Sequence, residues 1–597
     1  MNGFTYIESW NPTLIPLISF ILGSFSYLSL SGIGRNINNL FDLKIEKPWN
    51  ITFRTIVGLF IFSLINQIIA ILKINNFYIY LLVTIIFLFF GLSEFLFLFK
   101  ERHIKLKFHK KNLIPISILI SIYLIRILLS IIPTTKIDEL NYHMLLPLRI
   151  VSDKALIYYQ FPWEGSIWPH MHYQIIGSPF YSLGIPDSLN ILSLCIFISF
   201  LLTVYNLVFI DTKNSYLGLW CIILISSGLN VSVDIITNSS NSLLITSSTL
   251  ALILISKPKR YLINTDLRTF SVFYGFLILS IVGSKISMVP ISFVLFLFFI
   301  KIIHNLWSSE KITTGIIYFF IPLIIFYTPL LIYSWLMSGS PFGTFLNSFF
   351  TCEKVLFDPF LEFSRGNLGY RGNIKEILFL MFSRWSPIIW FSWLIIPSKR
   401  IELHQKIVLL TIFIVQFFII CFFLPNKPRH FSGFQYAALI VIFIEILPYL
   451  YLKAKKVIFS IFLVFSIPWL ILDIYYAFPL IKKAFLDTET FKQDYIFFYN
   501  DYKKLDKLID EDAQLLIKGT RINSFHSPRK VFRNIIDIKD KSLPTYLFLV
   551  GDYDSNKIRG IKVKEKIYEN KISKQYCFRD PRKQCTLKKL RVFRINF

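Results

Sequence analysis

The segment Thr134–Ser188 concentrates side chains that can do acid–base or metal chemistry. Asp138 and Glu139 are adjacent, His143 follows, and His170 and His172 come later among several Trp and Tyr residues. A carboxylate held at the mouth of a membrane bundle can take a proton from an attacking hydroxyl or coordinate a divalent cation. Acidic residues also suit the first turn of a helix, so the pair has a structural reading beside the chemical one. The spacing of Leu140, Met144, Leu145, Leu148 and Val151 predicts a short amphipathic helix over 137–152, lying in the membrane interface. Glu139 and His143 share one face of it. Acid and imidazole together could bind a metal, but no tight ligand cluster is visible and no metal ligand is assigned.

A second group of residues suits an anion. Asp234 lies in a loop, 230–241, that contains no Lys or Arg, where an acid could orient an acceptor. Lys285 stands in GSKIS between two apolar runs, and a cation there must snorkel or find an anion. SGSPFG at 338–343 ends another apolar run with turn chemistry, and Arg365 and Arg371 follow. Lys427, Arg429 and His430 fall in PNKPRHF at 425–431. Arginine forks bind phosphate oxygens bidentately. Anchoring to lipid headgroups is the plainer alternative.

The elements that must position these residues are membrane helices. The 597 residues are 54% hydrophobic with a mean hydropathy of +0.58, too apolar for a soluble domain. Runs long enough to cross ~30 Å of hydrocarbon fall near 13–31, 55–73, 77–99, 113–133, 189–210, 215–231 and 241–256. They continue near 269–284, 288–304, 313–336, 377–397, 407–424, 435–452 and 457–476. That predicts about fourteen helices. If they alternate, the basic loops holding Arg35, Lys100, Lys257, Arg400 and Lys453 all fall on one side. The positive-inside rule makes that side the cytoplasm. The Asp138, Asp234, Arg365 and Arg429 loops, the N-terminus and the tail are then outside. The formal net charge of +27 is read the same way, with no call for nucleic acid. No cleavable signal peptide, heptad or 20–50-residue repeat is evident.

From Lys482 onward the sequence turns polar. A helical pattern covers Asp494–Glu511, and strand-like runs follow at Gln514–Lys518, Thr545–Val550 and Leu590–Ile595. This predicts a small α/β domain outside the membrane, with Cys577 and Cys585 placed to staple a hairpin in an oxidising compartment.

DELNYHMLLP, the rim acid, the GSK turn, the GSPFG span end and the PRHF loop occur in one order. Together they resemble the GT-C glycosyltransferases, in the branch with bacterial membrane mannosyl- and aminoarabinose-type transferases. The resemblance covers Leu113 to about Tyr476. It divides the chain into additional helices at 1–112, a GT-C-like unit at 113–480 with its outer loop at 134–188, and an outer domain at 481–597. It implies an all-α polytopic protein of the bacterial cytoplasmic membrane with a C-terminal α/β domain. Its partners would be a polyprenyl-phosphate sugar donor, a lipid, glycan or protein acceptor, and membrane lipid. Asp138 would be the catalytic base, with Glu139 beside it, and Lys285 and Arg429 the phosphate contacts. A divalent cation is the one cofactor candidate. Three spans precede the acidic loop where many members have one, so helix-by-helix correspondence is not carried over. The rivals are a polymerase or ligase using lipid-diphosphate glycans and a lipid-linked sugar transporter. The scarcity of charges within the spans and the lack of a repeat weigh against the transporter.

Overall fold

The structure, a computed structural model, describes residues 3–43, 47–101, 112–136, 139–157, 171–227, 235–258, 265–285, 288–339 and 341, short helical pieces between 403 and 415, and 434–519. In the C-terminal region it further describes 523–532, 535–538, 540–551, 560–570, 574–577, 580–586 and 589–597. Among these residues, eight helices are long and apolar enough to cross a membrane. They begin with α2 (Leu14–Leu40), α3 (Lys47–Ile71), α4 (Phe77–Glu101) and α5 (Leu113–Ser130), preceded by a short α1 (Gly3–Ser9). After the acidic loop come α6 (Leu145–Ser152), α7 (His172–Ile175), α8 (Ser178–Ser182) and the span α9 (Ser188–Thr212). Next are α10 (Ser215–Ser226), α11 (Asn241–Ser256), α12 (Leu267–Ser284) and α13 (Val289–Leu306). The eighth span joins α14 (Ile312–Pro322) to α15 (Thr328–Ser338) through a π-helical turn just after Pro322, where a kink is expected. Its end at Gly339, with φ +83°, is the left-handed terminus that the SGSPFG sequence predicts.

Among the described residues the structure thus shows eight of the fourteen expected spans. α10 and α11 stand where 215–231 and 241–256 were expected, but are 12 and 16 residues long. The expected span 377–397 and most of 407–424 lie outside the described residues. Where two spans were expected at 435–452 and 457–476, the backbone is one helical segment, α16 (Phe434–Leu486). It is not a straight rod. The Tyr436 hydroxyl donates to the carbonyl of Ile225, and Asp473 pairs with Arg126, which donates to the adjacent carbonyl of Ser226. A straight helix from Tyr436 to Asp473 would be about 55 Å long at ~1.5 Å per residue. Both positions meet the end of α10, so the segment doubles back between them, as two antiparallel spans would.

The first three spans pack backbone to backbone. A Cβ on Gly34 would stand 1.9 Å from the Arg54 carbonyl oxygen, and one on Gly58 1.9 Å from that of Leu30. Only glycine permits such contact, the usual means by which membrane helices associate. At one end of this trio Glu94 is fully buried and holds Arg35 at 3.2 Å and Arg54 at 3.3 Å. Ser31 donates to the same carboxylate. The outward side of α4 exposes Tyr78, Ile85, Phe89, Leu96 and Phe99, apolar surface that suits lipid.

The C-terminal domain carries two helices, α17 (Thr488–Tyr495) and α18 (Tyr499–Leu508), where one was expected over Asp494–Glu511. The break falls at Phe498, whose φ of +61° cannot continue a helix. A five-stranded mixed sheet has the order β2-β1-β3-β7-β4, with β1 (Gln514–Gly519), β2 (Lys530–Phe532), β3 (Thr545–Val550), β4 (Lys562–Glu569) and β7 (Leu590–Asn596). β1 pairs in parallel with β2 and β3, while β7 runs antiparallel to β3 and β4. All six residues of β3 are buried, as expected of a central strand covered on both faces. The remaining hairpin pairs β5 (Lys574–Cys577) with β6 (Asp580–Thr586), and Cys585 stands opposite Gln575 rather than Cys577. The expected disulfide involves side chains outside the described set.

Candidate active site

The acidic segment is not one amphipathic helix lying on the membrane. It is a π-helical turn, Glu139–His143, closed by the Met144 amide donating to the Glu139 carbonyl, followed by the two-turn α6. Leu140, Met144, Leu145 and Leu146 are buried against the bundle, and Arg149 is buried as well. The apolar pattern is thus satisfied by protein on both sides.

Within this turn Glu139 is buried, and its Oε2 accepts from the backbone amide of Asn238 at 3.1 Å. Its Oε1 lies 3.9 Å from Lys136 Nζ. Asn238 donates through Nδ2 to Asn190 on α9 at 3.0 Å, and Asn190 reaches the Ser130 carbonyl at the end of α5. His143 Nδ1 accepts from Gln174 Nε2 at 2.9 Å, so its ring proton resides on Nε2. The same Gln174 amide donates to the Asn238 carbonyl at 3.2 Å. Glu139 and His143 therefore belong to one hydrogen-bonded network, joined through Asn238 and Gln174.

The network extends to the GSK turn. Ser240, two residues after Asn238, donates to the Ser284 carbonyl at 3.0 Å, which places Lys285 next to the loop that contains Asp234. Gly283 lies against His172: a Cβ there would stand 3.2 Å from the ring. His172 turns its Nδ1 to Ser63 and Gln67 of α3, both at 3.2 Å, so it pins α7 to the bundle. Two buried acceptors in the network, Gln174 Oε1 and Asn238 Oδ1, have no hydrogen-bond partner among the described residues. Buried polar atoms are seldom left so, and donors brought by a ligand would satisfy them. With the Glu139 carboxylate they are hard oxygen donors of the kind a divalent cation takes. Among the described residues, however, no group of three His, Cys, Asp or Glu side chains converges on a metal-sized site.

Of the residues singled out in the sequence, Glu139, His143 and Lys285 are thus brought to one end of the bundle. Asp138 and Asp234 immediately flank described parts of this network but lie outside the described residues. So do His170, Arg365, Arg371, Lys427, Arg429 and His430. Sequence reasoning missed Gln174, Asn190 and Asn238, neutral amides that leave no mark in a hydropathy pattern. It also missed Asp187, a lone acid one residue before an apolar span. Asp187 is fully buried and accepts from the hydroxyl of Tyr6 on α1. Burial raises its carboxyl to about 8, against the lowering effect of the Tyr6 hydrogen bond.

Comparison of the chain with protein-family models, with curated proteins and with solved structures gives no significant match.

Proposed function

We propose that the chain is a membrane glycosyltransferase. It moves a sugar from a polyprenyl-phosphate donor to an envelope acceptor at the outer face of the bacterial cytoplasmic membrane. The observation that carries this reading is the acceptor-rich network at one end of the bundle. Buried Glu139 is joined through the Asn238 amide to a network in which Gln174 Oε1 and Asn238 Oδ1 have no partner among the described residues, and the network continues to the GSK turn. Sugar hydroxyls are the donors such a site can use, and Lys285 at its edge suits a phosphate.

In the reaction the acceptor oxygen attacks the anomeric carbon. The bond from that carbon to the phosphate oxygen breaks, and the lipid phosphate leaves with the electron pair. Asp138 takes the acceptor proton, and Lys285, Arg371 and Arg429 neutralise the departing phosphate. Glu139, fixed by the Asn238 amide, orients the segment that carries Asp138. Direct displacement inverts the anomeric centre.

The test is mass spectrometry of envelope glycolipids and glycoproteins from wild-type, deletion and Asp138→Asn strains. The expected result is a sugar-sized mass loss on one acceptor in both mutants. Removing a general base lowers the rate about 10²–10⁴-fold, so residual transfer in Asp138→Asn should be barely detectable. Transfer at the wild-type rate in that variant rules out the assignment of the base. Loss with Arg429→Ala but not with Asp138→Asn points to a polymerase or ligase. An accumulated lipid-linked precursor with all glycans intact points to a transporter.

A further inference from the structure

The C-terminal domain sits directly on the acidic segment. The Phe525 amide donates to the Leu140 carbonyl at 2.9 Å, one residue from Glu139. Arg149, buried at the centre of α6, donates to the Val531 carbonyl in β2 and lies 5.2 Å from the centre of the Phe532 ring. Lys530 pairs with Asp153 at the end of α6. The segment 523–532 thus grips the acidic segment at both ends and in the middle.

The same segment is held from the other side by the N-terminus. A Cβ on Gly3 would stand 1.9 Å from the Phe525 carbonyl oxygen, so α1 and this loop touch backbone to backbone. Tyr6 lies edge-on to Phe525 at 6.1 Å and parallel to His526 at 6.4 Å. Tyr181 of α8 meets Phe525 at 6.0 Å, and Lys492 of α17 donates to the Glu8 carbonyl at 2.9 Å. None of these contacts is needed to close the domain's own sheet, and several are buried and charged. A buried guanidinium tied to a carbonyl of another domain is costly to separate from it.

We infer that the C-terminal domain is the positioning element of the candidate active site, with Arg149 its principal positioning residue. Strand β2 and the loop before it hold the Glu139–Ser152 segment against the bundle and so fix where the Glu139 carboxylate points. The chemical consequence rests on the transferase reading above; the docking does not. A π-helical turn and a two-turn helix are too short to hold such geometry alone. A shift of even 1 Å in a catalytic group costs rate steeply.

The experiment combines hydrogen–deuterium exchange with transfer kinetics on the full-length protein in lipid nanodiscs. Wild type is compared with Arg149→Ala, Arg149→Lys, Phe532→Ala and Gly3→Ala, the last two acting from the domain and from α1. Arg149→Ala and Phe532→Ala should each raise exchange of the 139–144 amides about ten- to a hundredfold. Gly3→Ala should raise it at 523–527. Transfer should fall through kcat with KM for the donor little changed, and Arg149→Lys should restore part of both signals. A merely structural role would lower the yield of folded protein without this split or this rescue. Unchanged exchange at 139–144 in both Arg149→Ala and Phe532→Ala overturns the docking. Raised exchange with wild-type kcat overturns the positioning role. Raised exchange in a chain whose wild type transfers no sugar brings down the transferase reading and leaves the docking standing.

Discussion

Gln174 makes the residue-scale case most directly, because one amide serves both His143 and the Asn238 carbonyl. Gln174→Leu removes two donors while keeping the volume, and leaves the Asn238 carbonyl buried and short of one hydrogen bond. The loss should be about 1–3 kcal/mol, read as a lower melting temperature in detergent, with Gln174→Asn no better because it is one methylene too short. Asp187 and His526 give a pH prediction. Burial raises Asp187 to about 8 and lowers His526 to about 3. The carboxyl therefore costs stability as pH rises from about 4 to about 8, where it is ionised in the unfolded chain and held protonated in the fold. The imidazole costs stability as pH falls from about 6.5 to about 3, where it is protonated only when unfolded. Between about 4 and 6.5 the two slopes oppose each other. The junction of α1, α9 and the C-terminal domain should therefore be most stable on that plateau. It should loosen as pH rises from 6.5 to 8, measurable as amide exchange at 523–527. Asp187→Asn keeps an acceptor for Tyr6 and should abolish the alkaline loosening alone.

At the scale of elements, helices meet through a few polar clasps and through glycine. Arg126 on α5 is 1% exposed and pairs with Asp473 on α16 at 3.4 Å, with Ser226 of α10 as a second acceptor. Replacing one partner leaves a buried charge alone, which costs about 3–5 kcal/mol. Arg126→Leu should therefore lower the melting temperature in detergent sharply, and Arg126→Leu with Asp473→Leu should recover most of it. If the double variant melts no higher than the single one, the ion pair is not the clasp. Glu94 and its two arginines play the same part for α2, α3 and α4. The Gly34 and Gly58 contacts set the distance between these helices, so a larger residue at either position separates α2 from α3.

For the whole molecule the two ends of the bundle differ in character. The acidic turn, Asp187, the Ser240–Ser284 contact and the C-terminal domain gather at one end. Arg35 and Arg54, within helices that lead away from it, and Lys257, which ends α11 and pairs with Glu445, lie apart from that end. A positive-inside reading puts the first end outside the cell. Lys541 and Lys311 are exposed, in the C-terminal domain and in the turn before α14. With the six native cysteines replaced by serine, Lys541→Cys should react with a membrane-impermeant thiol reagent on intact cells. Lys311→Cys should react only after permeabilisation. The opposite pattern would invert the orientation and move the candidate site to the cytoplasm.

What the sequence determined by itself follows from local physics. Apolar runs such as 77–99 and 189–210 become helices because hydrocarbon leaves backbone groups no partner outside their own segment. TYLFLV at 545–550 reads as a buried strand and is one. The Asp138–Glu139 pair stood out because acids are rare near spans, and Glu139 does sit at the heart of a buried network. What the tertiary structure decided is everything that depends on distant residues meeting. KVKEKIYE became an exposed, bulged edge strand only because β7 was there to pair with it. The break at Phe498, the return of α16 onto α10 and the roles of Gln174, Asn190 and Asn238 leave no local pattern to read. Nor does the sequence reveal that a strand 382 residues after Arg149 would cover it. Such contacts are chosen by global packing, which joins residues that no periodicity connects.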